Sequence, residues 1–327
     1  MDAKENALCV LRFDHPERVV SGLPKADCSY FGVNHEPFQG VGGHDSPIGT
    51  FWHDLWGVGW QKELPGVMGY AREHPLADLS RLGRFDFPDP DDPRLCQQIY
   101  DRAGEADGEN VFLGGSHRET LWERCYNLVG MSDLMIAFVD APDAVRELLH
   151  RVMDFQLGIA RHYAAVGIEV AGLGDDLGSQ RGLLFSPDIL HEFFVPEYRR
   201  LCAFYKDRGV IITFHSCGQI EDILEVFMDL GVDVLNPVQA SANDLEKVRR
   251  ITRGRMALQG GVSTHTIMTG PVETIRSETR LRLWQLGREG GYLCAPDQGM
   301  PFPEQHIEAF EETLAQYGVY PLRPPEA

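Results

Sequence analysis

A histidine and a cysteine that follow one predicted strand are the side chains in this sequence best suited to metal chemistry. His215 and Cys217 end an apolar, β-branched run at residues 209–214, which predicts a buried strand. In extended backbone, residues i and i+2 point to the same side, so both side chains should aim at one point. An imidazole nitrogen and a thiolate are ligands that zinc prefers. Core packing or a capped loop is the alternative interpretation of such a pair.

Cys294 is the candidate for a third metal ligand. It ends the last predicted strand, which in a closed barrel reaches the same mouth as the strand before His215. Two thiolates and one imidazole would leave a fourth position open, which is the pattern of a catalytic zinc site. Asp297, Gln298 or Glu221 are alternatives for the third position. Burial as an apolar filler is the competing interpretation of Cys294, because free cysteines commonly pack in cores.

Polar side chains end two further predicted strands. Asp175 and Asp176 follow the strand at 168–173, and a carboxylate there can act as a general acid or bind a substrate hydroxyl. Only one of two adjacent side chains can point inward, and a local cap or turn is the alternative role. Asn236 ends the strand at 232–236, and we expect it to contact the substrate.

Aromatic residues are concentrated in the irregular first part of the chain. Trp52, Trp56 and Trp60 recur every fourth residue, but two glycines among them weaken a helix assignment and leave a bent strand or hairpin open. Phe31 and Phe38 lie upstream. We predict that the three tryptophans bind a flat substrate, with simple packing as the alternative.

The regular part of the chain predicts an α/β barrel that positions these groups. Residues 1–110 are irregular and rich in glycine and proline, whereas strands and helices alternate over 110–318. Such alternation predicts a parallel sheet with right-handed crossovers. Six regular units and two less regular ones would close a TIM barrel as a single domain over 1–327, with a doubly wound open sheet as the alternative. The six predicted strands are 110–115, 168–173, 209–214, 232–236, 256–262 and 291–295.

Composition excludes several classes of partner. The 327 residues carry a net charge of −19, from 49 acidic and 30 basic side chains, which argues against nucleic acid or an anionic membrane as a partner. No apolar run approaches the length of about 18 residues that predicts a membrane span. Seven scattered cysteines and an N-terminus without a secretion-signal pattern lead us to expect reduced thiols in a cytoplasmic protein.

Further short motifs accompany the His-x-Cys-Gly segment at 215–218. They are Asp-Leu-Trp-Gly at 54–57, Pro-Gly at 65–66, His-Pro-Leu-Ala-Asp at 74–78, Phe-Pro-Asp-Pro at 87–90, and the segments 174–180, 186–187, 196–198 and 295–301. With these motifs, most of the chain resembles the uroporphyrinogen decarboxylase superfamily, and more closely its cobalamin-linked methyltransferase branch. The resemblance implies a distorted (β/α)8 TIM barrel with an irregular N-terminal extension.

The same resemblance implies a zinc site. In this branch the His-x-Cys-Gly motif supplies two zinc ligands, which correspond to His215 and Cys217. A cysteine near the end of the barrel supplies the third. Cys294 fits that role by its spacing, but it precedes Ala295-Pro296, whereas Gln298 stands in the loop that follows.

Three activities occur in the superfamily, and the sequence favours one of them. Porphyrinogen decarboxylation needs an arginine-rich N-terminal motif, whereas residues 19–71 contain no arginine, so this activity is not expected. We expect zinc-dependent transfer of methyl from a small methoxylated, aromatic substrate to the Co(I) corrinoid of a separate partner protein. Zinc would bind the substrate oxygen and stabilise the leaving phenolate.

Two alternatives remain open from the sequence. The first is transfer of methyl from methylcorrinoid to a thiol such as coenzyme M, whose sulfonate would need a basic residue near the zinc. Arg118 and Arg181, which follow predicted strand ends, are the candidates for that residue. The second is a protein of a different class, a non-catalytic barrel that a metal stabilises and that only binds a ligand or partner.

Overall fold

The computed structural model describes residues 1–30, 46–65, 69–106, 109–117 and 119–325. Phe31, Phe38 and Arg118, which the sequence analysis singled out, lie outside these ranges, as does Gly66 of one motif. Within the described ranges, no helix combines the length and the apolar character that crossing a bilayer requires.

In the described part of the chain, a curled parallel sheet of seven strands forms the centre of the fold. Its strand order is β1-β5-β6-β9-β10-β11-β12, and every pairing in it is parallel. These strands are β1 (Lys25–Asp27), β5 (Phe112–His117), β6 (Val170–Gly174), β9 (Ile211–His215), β10 (Val234–Val238), β11 (Ala257–Val262) and β12 (Tyr292–Pro296). The α/β, TIM-barrel-like fold predicted from the sequence is therefore confirmed, whereas the extent of the single domain stays a prediction.

Helices cover the outer face of this sheet. Several begin at the residues that helix-start rules favour, such as Pro142 in the first turn of the helix Pro142–Ala165 and the Asp244 side chain that caps the helix Leu245–Thr252. The helices are α1 (Ala3–Arg12), α2 (Pro93–Glu105), α3 (Trp122–Val129), α4 (Met131–Asp140), α5 (Pro142–Ala165), α6 (Pro187–Ile189), α7 (Val195–Lys206), α8 (Leu224–Leu230), α9 (Leu245–Thr252), α10 (Thr264–Thr269), α11 (Val272–Gly287) and α12 (Glu304–Tyr317).

The N-terminal segment joins the two edges of the sheet. Val20 forms a parallel bridge with Leu293 of β12, and the backbone N–H of Cys294 donates to the Val20 carbonyl oxygen at 2.8 Å. A few residues later the same segment becomes β1, which pairs with β5. One short stretch therefore contacts the first and the last regular strands, as closure of a barrel requires.

A small antiparallel sheet distorts the first part of the barrel. It consists of β2 (Phe51–His53), β3 (Gly59–Gln61) and β4 (Tyr70–Glu73), and a separate hairpin pairs β7 (Gly178–Ser179) with β8 (Gly182–Leu183). The described part of residues 1–110 therefore supplies this antiparallel layer in addition to β1 of the parallel sheet. The hairpin alternative for the tryptophan segment is correct, because Trp52 pairs with Trp60 across β2 and β3.

Candidate metal centre and substrate cavity

A cavity of about 890 Å³ opens at the carboxyl ends of the central strands. This is the end at which barrel enzymes place their catalytic groups. Its floor consists of strand ends and the residues just after them, its side consists of α3 and Met131, and its roof comes from the small antiparallel sheet. The lining residues are Trp60, Gly69, Tyr70, Ala71, Arg72, His74, Ser116, Glu119, Glu123, Tyr126, Asn127, Met131, Leu173, Gly174, Asp176, His215, Cys217 and Gln298.

Three potential metal ligands converge on the floor of this cavity. The ligand atoms of Asp176, His215 and Cys217 all lie within 4.8 Å of one another. His215 Nε2 is 3.3 Å from Cys217 Sγ and 3.6 Å from Asp176 Oδ1. The structure therefore brings together the predicted His-x-Cys pair, and a carboxylate from the end of the neighbouring strand completes the group.

Hydrogen bonds orient two of these ligands. His215 pairs in register with Asn236 of β10, and the two side chains meet at 2.8 Å between Nδ1 and the amide oxygen. Since an amide oxygen only accepts, Nδ1 carries the proton and the Nε2 lone pair faces Cys217 and Asp176. The Cys217 backbone N–H donates to Asp176 Oδ1 at 2.9 Å. Asn236 thus orients the imidazole and is not among the residues that line the cavity, so its predicted contact with substrate stays a prediction.

The chemistry of this donor set fits a divalent transition metal. Burial, followed by the adjacent Asp176 carboxylate, raises the pKa of the Cys217 thiol. A cation placed among the three ligand atoms would reverse both effects and favour the thiolate. One sulfur, one imidazole nitrogen and one carboxylate oxygen suit zinc, with a position left open for another ligand.

Cys294 does not join this cluster, which corrects the prediction that it is the third ligand. It is completely buried in β12 opposite Gly260. Its thiol lies near Tyr292, two residues earlier on the same side of the strand, and near Arg282 and Glu278 of α11. Burial raises the pKa of this thiol to about 12. The side chain therefore faces the outer helix layer and packs in the core, as the competing interpretation held.

Of the two adjacent aspartates, only Asp176 reaches the cavity. The Asp175 carboxylate is buried and accepts the backbone N–H groups of Leu121 and Glu123, each at 2.8 Å, and the Tyr198 hydroxyl at 2.6 Å. It thus satisfies free N–H groups at the start of α3. Burial raises the pKa of Asp175 to about 7. The predicted catalytic role of Asp175 is therefore corrected to a capping role, which was the stated alternative.

The three tryptophans divide between the cavity and the core. Trp60 lines the cavity, whereas Trp52 and Trp56 are buried elsewhere. The Trp56 ring packs edge-on against Phe155 with centroids 4.8 Å apart, and the guanidinium of Arg124 lies 5.1 Å from its ring. The substrate-binding prediction is therefore corrected for Trp52 and Trp56, which pack as the alternative proposed.

Asp54 fixes Trp60 in the cavity wall. Its Oδ2 accepts the Trp60 indole N–H at 3.1 Å and the Arg124 guanidinium at 2.7 Å. Arg124 also forms an ion pair of 2.7 Å with Glu119, which lines the cavity. A buried cluster of charges thus connects the small sheet, the end of β5 and α3.

Sequence reasoning missed the side of the cavity that α3 provides. Glu123, Tyr126 and Asn127 are spaced at i, i+3 and i+4, so they share one face of the helix. The Tyr126 hydroxyl donates to Glu123 at 3.3 Å. Burial, followed by the charge of Asp175, raises the pKa of the Glu123 carboxyl. This polar stripe directly after a strand end was the available signal in the sequence.

Arginines make a small contribution to the described cavity wall. Arg72 lines the cavity, and its Nε donates to Glu63 at 2.8 Å. Arg181 is exposed in the turn between β7 and β8 and does not line the cavity. Arg118 and Arg181 were the candidates for binding the sulfonate of an anionic thiol. Arg181 does not fit that role, because its position is outside the cavity.

Comparisons with known proteins agree with this architecture. The family described as uroporphyrinogen decarboxylase (URO-D) matches residues 80–317. The chain therefore belongs to the uroporphyrinogen decarboxylase family. Its predicted resemblance to the cobalamin-linked methyltransferase branch is also confirmed.

Two curated relatives are methyltransferases of Methanosarcina barkeri. The methylcobamide:CoM methyltransferase MtaA is 24% identical over 195 residues, which cover 58% of this chain and 54% of the relative. The same enzyme from strain Fusaro / DSM 804 is 23% identical over the same extent. The match thus spans about half the length of these relatives.

A solved structure extends the similarity of fold to the whole chain. It is a methyltransferase from Methanosarcina mazei that aligns with a TM-score of 0.70 at 17% identity, covering 97% of this chain and 99% of its own. At this identity the alignment shows the shared fold alone.

Proposed function

We propose that this protein is a zinc-dependent methyltransferase that removes methyl from a small methoxylated aromatic compound and passes it to the Co(I) corrinoid of a partner protein. The observation that carries the proposal is the cluster of Asp176, His215 and Cys217 on the floor of a cavity of about 890 Å³. Membership of the uroporphyrinogen decarboxylase family and similarity to a methylcobamide-dependent enzyme support it.

Each residue of the site has a role in this proposal. His215 Nε2, Cys217 Sγ and an Asp176 oxygen would hold the zinc, and Asn236 keeps the imidazole in the required tautomer. Zinc bound there would supply Lewis acidity to an ether oxygen. Trp60, as part of the cavity wall, would provide an aromatic contact for the substrate ring.

The charge of the cavity favours an uncharged methyl donor over an anionic thiol. Among the residues that the structure describes, the wall carries the carboxyl groups of Glu119, Glu123 and Asp176 and the guanidinium of Arg72. Glu119 is neutralised by its ion pair with Arg124, and a bound metal would add positive charge, so the preference rests on the guanidinium of Arg72. Because that group is already bonded to Glu63, a sulfonate-bearing thiol or a polycarboxylated porphyrinogen would have to compete with a carboxylate for it. Methylation of a thiol is therefore the second candidate, supported by the name of the MtaA relatives.

The test is methyl transfer with purified components. Zinc-loaded protein is mixed with a reduced corrinoid protein and either methoxybenzenes or methylated thiols, and methyl-Co(III) formation is followed by absorbance. We expect transfer from methoxybenzenes, and none from the His215→Ala variant. Transfer only between methylcorrinoid and a thiol would replace the first proposal with the second. Ligand binding without transfer in either assay would identify a non-catalytic barrel.

A further inference from the structure

A glutamine side chain contacts the sulfur of the candidate metal centre. Gln298 lies in the loop after β12 and lines the cavity, and its Nε2 is 2.8 Å from Cys217 Sγ. A thiolate only accepts hydrogen bonds, so the amide must present its N–H rather than its oxygen to the sulfur. Gln298 therefore donates to a ligand atom.

The loop holds Gln298 firmly in this position. The Gln298 backbone N–H donates to Thr264 Oγ1 at 2.9 Å, and the same hydroxyl donates back to the Gln298 carbonyl oxygen at 3.3 Å. One residue earlier, Asp297 N–H donates to the Val262 carbonyl oxygen at 2.9 Å, and the Asp297 carboxylate accepts the Gly261 N–H at 3.0 Å. The backbone of the loop is thus held by bonds to β11 and α10, which places the Gln298 side chain within reach of the sulfur.

The surroundings of Cys217 make this neutral donor important. The sulfur lies beside the carboxylate of Asp176, and Cys294 is buried on the outer side of β12. Gln298 thus provides an uncharged hydrogen-bond donor next to the sulfur. A second thiolate at this position would instead add negative charge to the site. A hydrogen bond to a ligating sulfur withdraws electron density from it, and such outer partners tune metal sites strongly.

We infer that Gln298 is a positioning residue of the metal centre, which holds the Cys217 thiolate by an N–H···S hydrogen bond and keeps the centre a one-thiolate site. This inference rests on the metal site of the proposed function. The hydrogen bond makes the thiolate a weaker electron donor to the metal. A metal bound by one such thiolate is therefore more Lewis-acidic than a metal bound by two thiolates. Strong Lewis acidity suits a methyl ether, whose oxygen is a poor leaving group until it is polarised.

Cobalt(II) substitution tests the inference without any turnover. Gln298→Met keeps the length of the side chain but has no N–H, and Gln298→Leu is a second variant without a donor. Gln180→Met is the matched control, because Gln180 lies in the β7–β8 turn, bonds to Gln239 at 3.4 Å and does not line the cavity. Each protein is loaded with Co(II), and its spectrum and metal affinity are measured, the latter by competition with a chromophoric chelator.

We expect the sulfur-to-cobalt charge-transfer band to move to longer wavelength in both Gln298 variants, because an unbonded thiolate is easier to oxidise. Metal affinity should fall by about 10- to 100-fold, because the loss of the bond that holds the sulfur in place outweighs its stronger donation, while Gln180→Met matches the wild type. An unchanged band and affinity would overturn the inference alone. A change confined to the d–d bands would also overturn it, by showing that Gln298 ligates the metal through oxygen. A wild-type protein without a charge-transfer band would instead overturn the metal site of the proposed function.

Discussion

Asp54 and Arg124 form a 2.7 Å ion pair in which neither side chain is more than 2% exposed. Asp54 belongs to the turn between β2 and β3, and Arg124 belongs to α3, so the pair joins the small sheet to the barrel. Asp54 Oδ1 also accepts the backbone N–H groups of Trp56 and Val58, at 2.9 and 3.0 Å. The shape of the tryptophan hairpin and its attachment to the barrel thus depend on one carboxylate.

Removing that carboxylate should destabilise the protein strongly. Asp54→Ala leaves a buried guanidinium with half of its neutralising charge, and breaking a buried pair in this way costs about 3–5 kcal/mol. Urea unfolding measures the loss. Glu225→Ala is the control, because Glu225 and Arg255 form an exposed pair 2.9 Å apart, for which about 1 kcal/mol or less is expected. Equal losses in the two variants would contradict the importance of the buried pair.

The two cysteines that the sequence offered as ligands should differ in metal content. We expect roughly one zinc per chain in the wild type, and Cys217→Ser should lose most of it, because the thiolate is a ligand that zinc prefers. Cys294→Ser should keep its zinc, since that side chain is buried away from the cluster. Elemental analysis of the purified variants measures both. Zinc lost from Cys294→Ser and retained in Cys217→Ser would invert our assignment.

Trp60 and Trp52 are both buried, but only Trp60 lines the cavity, so only its replacement should weaken substrate binding. Trp60→Leu removes an aromatic surface from the cavity wall, and we expect KM for a methoxybenzene to rise about tenfold, or ~1.4 kcal/mol. Trp52→Leu, directly across the hairpin, should lower the free energy of unfolding by about 3 kcal/mol and leave KM within about twofold. Steady-state kinetics and urea unfolding of both variants distinguish these effects. A large KM change in Trp52→Leu alone would place the cavity wall elsewhere.

His117 should make stability depend on pH. It is fully buried, with Nδ1 bonded to Gln156 at 2.8 Å and Nε2 bonded to the Tyr205 hydroxyl, and burial lowers its pKa to about 4. An unfolded histidine titrates at about 6.5, so burying the neutral imidazole costs no proton above that pH. As the pH falls from about 6.5 towards 4, the unfolded state gains a proton that the folded state does not, and the free energy of unfolding falls by at most about 1.4 kcal/mol per pH unit. Urea unfolding at several pH values should show a steeper dependence in the wild type than in His117→Asn. Parallel curves would mean that His117 protonates freely in the folded protein.

The parts of the site that follow from local rules were predictable. The i, i+2 spacing of His215 and Cys217 places both at one point past a strand, and the structure brings them within 3.3 Å. The rule that only one of two adjacent carboxylates points inward also held. Which of the two does so depends on α3, because Asp175 caps the start of that helix. The capped residues lie 52 and 54 positions from Asp175 in the sequence, so no local pattern encodes the contact.

Other parts depended on information that the sequence pattern does not carry. Strand β12 is buried on both faces, so its apolar run does not reveal whether Cys294 faces the cavity or the outer helices. The tryptophan spacing suggested a shared surface, but cross-strand pairing in a hairpin decides which ring reaches the cavity. The wall from α3 was not predicted, because a polar stripe on a helix does not by itself distinguish a cavity wall from a solvent-exposed face.

The bridge between Val20 and Leu293 has a consequence for how the chain reaches its native state. This contact joins segments from nearly opposite ends of the sequence, so most of the chain must be ordered before it forms. Long-range pairing of this kind slows refolding and prolongs the lifetime of species with an open β12 edge. An unpaired strand edge is a template for association with other chains. The N-terminal segment should therefore protect the edge of β12 from pairing with other chains. Its deletion should increase aggregation during refolding more than it reduces the secondary-structure content.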